Sequence, residues 1–143
     1  MNKNHFSKDL HYGLNSEDVL LHTLNKYFKC NFKKTSTFES VDFIDKDRKI
    51  VVELKTRRNT RYQYPTTMIG SNKVEEAEKH INNPEGPYRV YFVFKFTDDL
   101  CIFKVCEDSI CESWEKMGGR SDRGVYEHKL YYYIPVNLLK SIS

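Results

Sequence analysis

No stretch of this chain is apolar for long enough to cross a membrane, and the N-terminal MNKNHFSKDL lacks the apolar core of a secretory signal. These absences predict no membrane partner and a cytoplasmic location, or a nuclear one in a eukaryotic setting. The four cysteines, at positions 30, 101, 106 and 111, include no CxxC pair, and no histidine follows them at a zinc-like interval. Without secretion a disulfide framework has no reason to form, so they read as buried or half-buried free thiols. His5, His11, His22, His80 and His128 include no pair at metal-ligand spacing. There is no internal repeat and no linker, which predicts one domain spanning 1–143.

What is present is a chain able to bury a core. It has 143 residues, of which 39% are hydrophobic and 14% aromatic, values of a folded protein. The net charge of +3 is compatible with a nucleic-acid partner without requiring one.

Asn15 or Ser16 reads as a helix N-cap, with Glu17 and Asp18 in the first turn, where the helix dipole favours acids. Val19, Leu20, Leu24, Tyr27 and Phe28 recur at helical spacing and predict a helix over 16–28. Three strands follow, over 31–37, 38–45 and 50–57, the last carrying the IVVEL run. Residues 58–70 read as a long loop. A second helix is predicted over 71–82, capped by Ser71 or Asn72 and ended by NNPEGP. RVYFVFKF, within 88–96, reads as a buried central strand, and 101–105 as its neighbour. A helix over 108–117, a mobile basic loop over 118–124, a strand over 125–134 and a helical end over 135–142 complete the expectation. Strand, crossover helix and strand form a βαβ unit with parallel strands, so the predicted class is α/β: a mixed sheet with helices on both faces.

The chemistry concentrates in VDFIDKDRKIVVELK, residues 41–55. If Asp45 pairs with Ile50 across the charged loop, Asp42 falls opposite Glu53 on one face. Directly opposed residues have Cβ atoms about 4.5–5.5 Å apart. Two carboxylates so placed repel unless a cation sits between them, and Mg²⁺ is commonly held by one or two carboxylates plus waters and phosphates. A slip of one residue would separate them to opposite faces. Lys55 lies about 6.6–6.8 Å further along the same face, within reach of a water or phosphate beside such a cation. The Leu54 carbonyl is a further oxygen donor.

Asp42, ten intervening residues and then Glu53-Leu54-Lys55 resembles the motif of the PD-(D/E)xK nuclease superfamily. The order helix, three strands, helix, strand also looks like that superfamily's restriction-endonuclease-like αβββαβ core, here with a C-terminal strand and helix added. Val41 stands where the family name has proline. Compact size and the early Gly13…Glu17 helix look most like archaeal Holliday-junction resolvases and small phage or viral relatives. The resemblance implies that Asp42 and Glu53 bind metal, that Lys55 assists catalysis and that Glu17 supports the site. It implies an Mg²⁺-dependent endonuclease acting on DNA, with Mn²⁺ able to substitute and branched DNA as one substrate class. The alternative is a nucleic-acid-binding module that kept the fold and lost turnover.

KTRRNTRYQY follows the motif directly. Arg57, Arg58 and Arg61, interleaved with Tyr62 and Tyr64, suit a phosphate backbone and unpaired bases. Lys73, opening the second helix, is a candidate phosphate contact. Arg120 and Arg123, set between glycines, are candidates for a DNA clamp. Cutting two strands at once would need two copies of so small a chain, which leaves a homodimer as an expectation.

Overall fold

The computed structural model describes residues 16–35, 42–106, 115–120 and 127–142, with side chains for 18–35, 42–106 and 131–142. Helix α1 (Ser16–Phe28) is followed by strands β1 (Lys33–Lys34), β2 (Phe43–Asp45), β3 (Ile50–Thr56) and β4 (Thr66–Gly70). Helix α2 (Ser71–Ile81) leads to β5 (Arg89–Lys95), β6 (Leu100–Val105), β7 (Glu115–Arg120) and β8 (Glu127–Pro135). A single 3₁₀ turn (Val136–Leu138) and β9 (Lys140–Ser141) follow.

Six strands form one sheet in the order β1-β2-β3-β5-β6-β9. β1, β2 and β3 are an antiparallel meander, while β3 and β5 run parallel. The helices take opposite faces, as strict alternation along the central strands requires. On one face Leu20 and Leu24 of α1 pack on Ile50, Val52 and Val93. On the other, Val74 and Ala77 of α2 pack with Val51, Phe92 and Phe94. Phe92, Phe94 and Phe96 are fully buried, each contributing about 2–3 kcal/mol of hydrophobic stabilisation. α1 stops at Lys29, whose φ of 54° is left-handed, and the Cys30 N–H returns to the Asn25 carbonyl.

The expected α/β mixed sheet is present, and the structure adds a second sheet to it. β4, β8 and β7 form a three-stranded antiparallel sheet. Its Ile69 and Ile134 join the core on the α2 side. The stretch 58–70, read as loop, therefore ends in a strand. TTMIG is a short β-branched segment whose partners, Tyr131–Pro135, lie far along the chain, so no local turn announces the pairing. The helix predicted over 108–117 is overturned at its end, because Glu115–Lys116-Met117 belongs to β7; 107–114 lie outside the described residues. Gly118, Gly119 and Arg120, expected in a loop, are likewise in β7, paired with β8. The helical end over 135–142 is one 3₁₀ turn and a short strand against β6.

Two smaller corrections concern caps and thiols. Neither Ser71 nor Asn72 caps α2: its N-cap is Gly70, with no side-chain bond, because β4 runs straight into the helix. A Cβ at Gly70 would come within 2.6 Å of the Asn72 Oδ1. Cys30 is half-buried and Cys101 buried, as expected, but Cys106 at the end of β6 is exposed; Cys111 lies outside the described residues.

Candidate active site

The register of β2 against β3 is Asp45 with Ile50, Ile44 with Val51 and Phe43 with Val52. The paired register ends there: the Asp42 N–H also turns to the Val52 carbonyl, at 3.1 Å, and Asp42 lies close enough to Glu53 for its charge to act on that carboxylate. Asp45 holds this register. It is almost wholly buried, and its carboxylate accepts the N–H groups of Asp47 and Arg48, at 3.1 and 3.0 Å, across the tight 46–49 turn. It also accepts the Asn31 N–H at 2.8 Å and pairs with Arg48 at 3.2 Å. These donors, the Asn31 N–H first among them, hold Asp45 below the usual carboxylate range. Sequence reasoning passed over Asp45 as a strand end. An aspartate that opens a turn and accepts from residues two and three ahead was the available signal.

Glu53 and Lys55 lie on the α2 face of β3, where the core cover runs out. β3 is buried from Ile50 to Glu53 and opens to solvent from Leu54 onward. Glu53 is 5% exposed. Its Oε1 faces two ammoniums at once, Lys55 Nζ at 3.3 Å and Lys73 Nζ at 3.2 Å. Burial pushes the Glu53 carboxyl above its ordinary range; repulsion from Asp42 adds to the rise, and the two lysines oppose it. Asp42 is exposed, and its Oδ2 accepts the Leu54 N–H at 2.7 Å. A strand residue directs its N–H and C=O at the same neighbour. The Leu54 carbonyl therefore faces the Asp42 side of β3.

Among the described residues no three His, Cys, Asp or Glu side chains converge on one point. The oxygen donors present are two carboxylates and a carbonyl, all hard ligands of the kind Mg²⁺ and Mn²⁺ prefer. Glu17 lies in the first turn of α1, but its side chain is outside the described residues. α1 itself packs on the face opposite Glu53 and Lys55.

The cationic stretch after β3 divides into two groups. Arg57 is half-buried. Its Nε donates to Thr67 Oγ1 at 3.2 Å, it bonds the Met68 carbonyl, and its guanidinium lies 5.6 Å from the Phe94 ring centre. It ties the end of β3 to β4. Arg61 is only 8% exposed and faces inward, correcting its expected place on the substrate surface. It pairs with Asp99 at 3.1 Å and donates to the Val136 and Leu139 carbonyls. The turn at Asp98-Asp99 and the C-terminal segment offer acceptors that the local sequence around Arg61 does not reveal. Arg58, Tyr62 and Tyr64 are exposed, the two tyrosines by 68% and 54%. Arg120 is placed by its backbone in β7; its side chain, and all of Arg123, lie outside the described residues.

A meander leading through a crossover helix to a parallel strand, with the Asp42 carboxylate accepting the Leu54 N–H of Glu53-Leu54-Lys55, defines a nuclease-like chain of the PD-(D/E)xK class. Residues 11–142 match a family described as "Phage putative PDDEXK endonuclease". The chain belongs to that family. No curated protein and no solved structure matches it significantly.

Proposed function

We propose that this chain is a divalent-metal-dependent endonuclease that hydrolyses DNA phosphodiester bonds at the C-terminal end of β3. Family membership supports nuclease chemistry. The observation that carries the reading further is the Asp42 carboxylate held by the Leu54 N–H, close enough to act on the buried Glu53 beside Lys55. The donor set fits a hard cation: the Asp42 and Glu53 carboxylates and the Leu54 carbonyl would hold it, with Glu17 a candidate for completing the set. When bound, such a cation lowers the pKa of a water and polarises the scissile phosphate.

The chain's own residues do the rest. Lys55 orients the attacking water and stabilises charge developing on the phosphoryl oxygens. The buried walls around Glu53 strengthen that interaction by excluding water. Arg58, Tyr62 and Tyr64, just beyond the catalytic strand, suit a backbone phosphate next to unstacked bases. Branched or partly single-stranded DNA is accordingly the preferred substrate class.

The test is cleavage of branched, nicked, linear and single-stranded DNA in Mg²⁺ by the native chain and by Asp42→Asn, Glu53→Gln and Lys55→Met. Each substitution is expected to lower the rate by about 100-fold or more. Undiminished cleavage by both Asp42→Asn and Glu53→Gln would overturn the assignment.

A further inference from the structure

Lys73 is in an unfavourable place by the rules of its own helix. It lies in the first turn of α2, which contains no acidic residue, at the end where the helix dipole repels cations. Its Nζ instead stands 3.2 Å from Glu53 Oε1, the same oxygen that Lys55 approaches at 3.3 Å. One carboxylate oxygen thus faces two ammoniums, drawn from different elements. Lys55 is fixed by β3 itself. Lys73 arrives from across the fold, because β4 passes directly into α2 at Gly70 with no loop between them.

We propose that Lys73 is an exchangeable counter-ion: it neutralises Glu53 while no metal is bound, and moves to a phosphate of the substrate when a divalent cation takes that carboxylate. This rests on the metal-site reading above. A cation bound to Glu53 must compete with both ammoniums, and repels them once in place. The lysine on the separate element is the one that yields. Its four-carbon stem lets the charge move without moving the helix. At a helix N-terminus its natural partner is an anion, and the DNA backbone supplies one beside the reacting phosphate. The same residue therefore opposes metal binding in the free protein and favours substrate binding in the loaded one.

Those opposite signs make the test. Calorimetric titration with Mn²⁺ compares the native chain with Lys73→Met and with Lys79→Met, a control in which the exposed Lys79 faces Glu76. Lys73→Met is expected to bind Mn²⁺ about 3- to 10-fold more tightly, since one competing charge is gone. Binding of a branched DNA in Mn²⁺ is then measured in the Lys55→Met background, which is expected not to cleave. There Lys73→Met should weaken DNA about 3- to 10-fold and reduce the salt slope by about one contact. Lys79→Met should change neither. Lys73→Gln carries the same expectations, and thermal melts confirm that each variant is folded. Unchanged or weaker Mn²⁺ binding in Lys73→Met and Lys73→Gln overturns the exchange, as does an unchanged DNA affinity and slope. If the native chain itself binds no Mn²⁺, the metal-site reading fails and takes the exchange with it. The native titration alone separates that result from the others.

Discussion

Replacing Arg61 with alanine separates a structural guanidinium from a DNA contact. The side chain links three segments: the loop after β3, the turn between β5 and β6, and the chain beyond β8. Its Nη1 faces Asp99 Oδ2 at 3.1 Å, and its Nη2 donates to the Val136 carbonyl at 3.1 Å and to the Leu139 carbonyl. Each hydrogen bond to a charged group is worth about 1.5–3 kcal/mol, but such bonds share one side chain and do not add. Removing one partner of a buried pair typically costs about 3–5 kcal/mol, and Asp99 and Arg61 are both mostly buried. Arg61→Ala should therefore lose about 3–5 kcal/mol, a drop in Tm of roughly 10–15 °C for a domain of this size. Arg61→Lys should recover little of it, because a single ammonium cannot reproduce the planar fork. The assay is urea and thermal denaturation, paired with DNA-binding titrations on whatever remains folded. A Tm unchanged within about 2 °C, combined with weakened DNA binding, would refute the reasoning and return Arg61 to the substrate surface.

Asp42→Asn keeps an acceptor for the Leu54 N–H but removes the charge facing Glu53. It should raise the metal-free stability by about 0.5–1 kcal/mol, measured by urea denaturation in chelator, while abolishing Mn²⁺ binding. Asp45 is held below the usual carboxylate range when folded, so its contribution is complete above its unfolded pKa and is lost as pH falls through the folded value. Asp45→Asn should lower stability by about 2–3 kcal/mol at neutral pH and flatten the loss of stability as pH falls below the ordinary aspartate range; an acid-unfolding profile as steep as the native one would count against it. Tyr62→Ala and Tyr64→Ala should leave Tm within about 2 °C of native and weaken single-stranded DNA by about 1–3 kcal/mol per stacked base. Fluorescence anisotropy reads that loss, and equal affinity in both variants would remove the tyrosines from the substrate surface.

The parts of this fold that sequence alone made legible are those whose signals are local. α1 follows from its apolar spacing and β5 from an unbroken apolar run, and pairing Asp45 with Ile50 across the charged loop gives the observed β2–β3 register. The paired register ends at Phe43 and Val52, and Asp42 stays beside Glu53 through its carboxylate, which accepts the Leu54 N–H. What was not readable depends on partners distant in the chain. β4 is a strand because β8 lies beside it, more than sixty residues later. Arg61 is buried because Asp99, Val136 and Leu139 meet it. Lys73 reaches Glu53 because β4 delivers α2 without a loop. In a basic stretch such as KTRRNTRYQY, charge alone does not distinguish Arg61, which turns inward, from Arg58, which does not.

The central claim is that Asp42 and Glu53 share a divalent cation. The direct measurement is an anomalous difference map from crystals of the native chain soaked in Mn²⁺. A peak about 2.0–2.3 Å from a carboxylate oxygen of each residue is the predicted result. No peak between them at saturating Mn²⁺, with Glu53 still held by Lys55 and Lys73, would contradict it.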